Sequence, residues 1–150
     1  MGKCYNVVLD STYPYIAGAT HSSDQYYVNW SSIMPDKAYK VSFSFNSAPS
    51  VVTQGVMCCL NINLGCNDTF AYNNNIRSSN ILGVIPQYFE ANTSRKFETS
   101  ITSNPPIYIS CRPTTNQITV LFQNGVDNNS IFLTPAMTAY ILILSFEECE

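Results

Sequence analysis

The sequence predicts an all-β domain, a two-sheet antiparallel sandwich of about eight strands in jelly-roll order. Three observations predict it. Apolar and polar residues alternate with a period of two in segment after segment. The prolines punctuate those segments. Helix formers such as Glu, Lys and Ala are scarce, while Val, Ile, Thr, Tyr and Phe, which suit pleated surfaces, are plentiful.

Taken in order, Val7 to Leu9 opens the chain as a short strand and Tyr26 to Trp30 forms a second. The clearest stripe follows: Tyr39, Val41, Phe43 and Phe45 point one way, Lys40, Ser42, Ser44 and Asn46 the other. Cys58, Leu60, Ile62 and Leu64 alternate with Cys59, Asn61 and Asn63 in the same manner. Ile81 to Ile85 and Ile107 to Cys111 are weaker candidates; Ile118, Val120 and Phe122 make another clear stripe. The predicted core is therefore Val41, Phe43, Phe45, Leu60, Ile62, Ile118, Val120, Phe122, Leu142 and Leu144. Asn124-Gly125 and Leu64-Gly65 supply turn chemistry. Pro14, Pro35, Pro49, Pro86, Pro105, Pro106, Pro113 and Pro135 are expected between strands, because a residue without an N–H cannot complete a ladder. No domain boundary or repeat interrupts residues 1–150, so one sandwich domain is expected.

The last strand differs from the others. In Tyr140 to Phe146, Tyr140, Leu142, Leu144 and Phe146 lie on one side and Ile141 and Ile143 on the other. Both faces of an antiparallel strand are apolar when both are covered, either by a loop of the same chain or by another subunit. The second cover points to a symmetric homo-oligomer, a trimer, with Tyr140, Ile141 and Ile143 at the shared surface. Antiparallel pairing of this strand with the first would also bring Cys4 near Cys149, as free thiols.

Composition narrows the chemistry. Charged residues make up 11% of the chain, less than half of the roughly 25% usual in soluble domains. The seven Lys and Arg are scattered and the net charge is −3, which speaks against nucleic acid as a partner. Arg95 and Lys96, flanked by Glu90 and Glu98, read as a solvated loop. No apolar run reaches the roughly 20 residues that span a bilayer, so no membrane insertion is expected. No secretory signal opens the sequence, so folding in a cytosol-like compartment is expected.

Catalytic and metal-binding signatures are missing. His21 is the single histidine, in a polar run, with no nucleophile elbow or phosphate loop elsewhere. The six cysteines form no C-x-x-C pair, so neither a zinc site nor any cofactor is expected. Glu147, Glu148 and Glu150 crowd one end as solvated acids rather than a hydrolytic pair. Trp30 admits two readings: packing at one end of the sandwich, or a platform for a sugar ring in a carbohydrate-binding jelly roll.

The stretch Tyr27-Val28-Asn29-Trp30-Ser31-Ser32-Ile33-Met34-Pro35, running into Tyr39 to Phe45, is followed by Asn104-Pro105-Pro106, Asn116 to Val120 and the strand Tyr140 to Glu147. This layout, over residues 26–147, resembles the small minor capsid proteins of large double-stranded DNA viruses of eukaryotes, the nucleocytoplasmic group. The resemblance implies a non-enzymatic, jelly-roll-like building block of an icosahedral shell. It implies assembly in the host cytoplasm, a place in the virion, and contacts with major and other minor capsid proteins. It brings no catalytic residues.

Overall fold

The computed structural model describes residues 2–14, 23–47, 57–65, 80–91, 94–127, 130–133 and 139–149. The described residues form ten strands and one short helix. They are β1 (Cys4–Asp10), β2 (Ser23–Tyr27), α1 (Trp30–Ile33), β3 (Tyr39–Ser47), β4 (Met57–Ile62), β5 (Ile81–Ala91), β6 (Ser94–Thr99), β7 (Ile107–Ile109), β8 (Gln117–Asp127), β9 (Ser130–Leu133) and β10 (Tyr140–Glu148). Every strand pairing is antiparallel, as the alternating stripes predict.

Two sheets result. In the first, β10 lies between β1 and β3, and the far side of β3 is shared by β7 at one end and β6 at the other. In the second the order is β2-β8-β4-β5, with β9 also paired to β8. The β5–β6 pair joins them, because β5 pairs β4 up to Pro86 and β6 from Gln87 onward. Eight strands thus lie on one hydrogen-bonded path with β1 and β2 as its ends.

The inner faces meet through aromatic rings. Phe45 of β3 and Tyr140 of β10 stack at 5.4 Å, and Phe122 of β8 approaches them at 5.1 Å and 5.0 Å. All ten predicted core residues are buried, and one apolar cluster takes in nine of the ten strands together with Trp30. Strand β3 alternates buried and partly exposed residues along its length, so the register read from Tyr39 to Asn46 holds.

Some local expectations need correction. Trp30 does not close the second strand; β2 ends at Tyr27 and Trp30 opens α1, its ring packed into the core. Pro86 is inside β5, not between strands; it occupies the crossing where β5 exchanges one partner for the other, a place where a missing N–H and a fixed φ are tolerated. Asn124-Gly125 is not a turn but part of β8, beside a register shift between Gln123 and Gly125. Arg95 and Lys96 belong to strand β6 rather than a loop; among its described side chains Phe97 and Thr99 face inward, and one apolar residue is too little for an apolar stripe.

Gly65 does make the predicted turn, with φ of 88°. A Cβ there would also collide with the Thr114 hydroxyl. On β5, the Asn104 side chain acts as a substitute strand: it accepts from the Val84 N–H at 2.9 Å and donates to the Val84 C=O at 3.0 Å.

Phe45→Ala should lower unfolding free energy by about 3–5 kcal/mol, because a ring packed between sheets leaves a cavity. Ser44→Ala, on the opposite face, should stay within about 0.5 kcal/mol. Denaturant titration of both variants checks the register directly.

Candidate interaction surface

Strand β10 carries both features that could serve a function, one on each face. On the inner face the Tyr140 ring, 2% exposed, directs its hydroxyl toward β2. That hydroxyl donates to Asp24 Oδ2 at 2.8 Å and pairs with the Tyr26 hydroxyl at 2.8 Å. Asp24 is fully buried. A buried carboxylate is costly without hydrogen bonds, and the Tyr140 phenol supplies one across the sheets. At the same residue the Tyr140 N–H donates to Ser11 Oγ at 2.9 Å, and the Ser11 N–H donates to the Tyr140 C=O.

The chemistry of this trio is that of a lock rather than a reaction centre. Burial, reinforced by the hydrogen-bonded Tyr26 and the charge of Asp24, pushes the Tyr140 phenol far above its ordinary range. Burial pushes Tyr26 from its ordinary 10.0 up to about 12, and the Asp24 charge adds to that while the Tyr140 hydrogen bond opposes it. Both hydroxyls stay protonated at neutral pH, so neither is poised as a base or nucleophile.

On the outer face of the same strand, Ile141 is 46% exposed and Ile143 is partly covered. Val8, the β1 partner of Ile143, is 59% exposed. The next neighbours outward on β3 are Ser44 and Asn46, opposite Ile143 and Ile141. Shallow grooves of about 410 Å³ and 350 Å³ flank Ile141, one bordered by Asp10 and Thr12, the other by Glu98 and Ser100. Toward the far end of the strand the face turns ionic, with Lys40 Nζ 3.8 Å from Glu147 Oε2. Beyond it, Glu148 accepts from Lys37 Nζ at 3.1 Å and from the Tyr5 hydroxyl at 3.1 Å. Lys37 and Tyr5 together hold the Glu148 carboxyl below its usual range. The outer face therefore carries an apolar row with Ser44 and Asn46 on its β3 side, Asp10 opposite Ile141 on its β1 side, and further ions at the Glu147 end.

The structure divides the residues expected at a shared surface. Ile141 and Ile143 do face outward; Tyr140 does not, because side chains alternate and the even-numbered positions of β10 all point into the core. Trp30 is 1% exposed, packs edge-on against Phe146 at 5.3 Å and donates its Nε1–H to the Thr115 C=O at 2.8 Å. Its ring is consumed by the core and offers no platform for a sugar. Among the described residues the exposed aromatics are Tyr13 after β1, Tyr27 in β2 and Tyr108 in β7.

The pairing of β1 with β10 sets Cys4 opposite Glu147, two residues from Cys149. Both thiols are free and exposed. His21 and Cys66 lie outside the described residues. Among the described residues no group of three or more His, Cys, Asp or Glu is placed to hold a metal ion, and no helix is long and apolar enough to cross a membrane. Sequence reasoning missed Val8 and Asp24. The first sits in a triplet apolar on both faces, and the second reads as an ordinary loop acid beside Ser22-Ser23.

No protein-family model matches the chain, and no curated protein matches it either.

Tyr140→Phe should cost about 1–3 kcal/mol, the penalty of withdrawing a donor from a buried acceptor. The fold favours the neutral form of Tyr26, so that stabilisation is complete below pH 10 and is lost as pH rises through about 12. Unfolding midpoints should fall across that window, and the fall should shrink in Tyr26→Phe.

Proposed function

We propose that this chain is a structural, non-enzymatic component of a viral capsid, a minor capsid protein that supplies protein–protein contacts in an icosahedral shell. The observation that carries the reading is the outer face of the first sheet, where Val8, Ile141 and Ile143 form an apolar row bordered by Ser44 and Asn46 on β3, with Asp10 beside Ile141 on β1. Covering such a face releases water from apolar surface and strands few charges, so it favours protein contact. The strand order supports the same reading. With β1, β10 and β3 followed by β6 or β7 in one sheet, and β2, β8, β4 and β5 in the other, the chain alternates between sheets as a jelly roll does.

In this role the partners are copies of the same chain, associating as a homotrimer, together with major and other minor capsid proteins. The site of action is the virion, after assembly in the host cytoplasm. Nucleic acid is not a partner in this reading, since seven scattered cations make no phosphate-binding stripe. A carbohydrate-binding role has no support from Trp30, whose ring is buried.

The test is Ile143→Asp, which sets an ion in the middle of the apolar row while leaving the inner face of β10 untouched. Self-association measured by light scattering should weaken about tenfold or more, equivalent to ~1.4 kcal/mol. Wild-type protein that is monomeric at high concentration, or that is absent from purified virions, overturns the proposal.

A further inference from the structure

The open edge of β1 is a second surface, sharing Val8 with the apolar row beside it. Among the described strands β1 pairs with β10 alone and so ends the hydrogen-bonded path. The Ser11 N–H donates to the Tyr140 C=O, and the Glu148 N–H donates to the Lys3 C=O. Backbone groups alternate sides along an antiparallel strand, so the odd-numbered residues bond β10 while Cys4, Asn6, Val8 and Asp10 direct their N–H and C=O groups to the open side. Cys4 and Asn6 are exposed, as is Val8.

Open edges in proteins that stay apart are blunted by proline, a bulge or a mid-strand charge. This one has none of the three. Its register to β10 runs unbroken from Cys4 to Asp10, it contains no proline, and its one charged residue, Asp10, stands at its end.

We propose that β1 is a self-pairing edge, binding β1 of a second copy antiparallel across a two-fold axis at Val8. The side-chain pattern selects both the occupant and the register. With Val8 opposite Val8 of the second copy, the outer face carries one unbroken row of Ile143, Val8, Val8 and Ile143 across the seam, because Ile143 already stands opposite Val8. Asn6 then faces Asp10 of the other copy on both sides of the axis, an amide donor against a carboxylate. The two Asp10 side chains are left about 14 Å apart along the strands, beyond the reach of strong repulsion in salt. Moving the axis to Val7 sets Val8 against Asn6 and Cys4 against Asp10, which breaks the apolar row and forfeits the amide–carboxylate pair. The paired strands exchange about six backbone hydrogen bonds, and the first sheets of two protomers become one.

This contact rests on the self-association in the reading above but not on the shell. Two variants of the full chain test it. Asn6→Pro removes an N–H that points outward, so it costs no bond to β10; Asn6→Asp sets a carboxylate against Asp10 of the second copy without altering the backbone or the apolar row. Each should halve the particle mass measured by light scattering, while the wild-type amides of Asn6 and Val8 should exchange with solvent at least tenfold more slowly in the associated protein than in the dilute one. A folded Asn6→Asp protein of unchanged mass, or fast exchange at both amides in the associated state, overturns edge pairing and leaves self-association through Ile143 standing. A wild-type monomer overturns both.

Discussion

Tyr140 is the residue on which the two sheets depend for their mutual placement. Its ring stacks on Phe45 of its own sheet and meets Phe122 of the other edge-on, while its hydroxyl reaches Asp24. The apolar part of that contact tolerates small shifts, because dispersion and burial are only weakly directional. The hydrogen bond does not. Withdrawing a donor from a buried carboxylate costs more than the bond contributes when made, so Asp24 favours an arrangement in which the Tyr140 hydroxyl reaches it. A one-residue slip of β10 would turn Ile141 inward and leave Asp24 without that phenol.

That constraint determines the surface as well as the core. Once the even-numbered positions of β10 face inward, Ile141 and Ile143 must face outward, and the β1 pairing sets Val8 beside Ile143. The outer apolar row is therefore a geometric consequence of the inner lock. Ser44 and Asn46 border it on β3, and such groups are cheaper to desolvate than charges. Lys40 with Glu147 and Lys37 with Glu148 gather at one end of the sheet, while Asp10 and the Lys96–Glu98 pair stand at the other.

The parts of the fold legible in the residues were those written in alternation. Tyr39 to Asn46 and Ile118 to Phe122 each have one apolar and one more polar face, and both kept the register that pattern implies. Strand β6 was illegible for the opposite reason, since Phe97 is its one apolar residue, in a segment rich in ions. Of the candidate surface, Ile141 and Ile143 were legible because a strand apolar on both sides is conspicuous. Val8 was not, because its importance comes from lying opposite Ile143, some 135 residues away in sequence.

The sequence by itself determined which side of each well-patterned strand faces the core, because side-chain direction in an extended chain is a local, period-two property. It also determined the class of the fold and the low charge of its surface. Only the tertiary structure decided which strands are neighbours, that Pro86 marks the crossing between sheets, that Trp30 and Asp24 are buried, and that among the described strands β1 pairs on one side alone. Those outcomes depend on how strands distant in the chain close upon one another, and a residue's own neighbours in sequence carry no record of that closure.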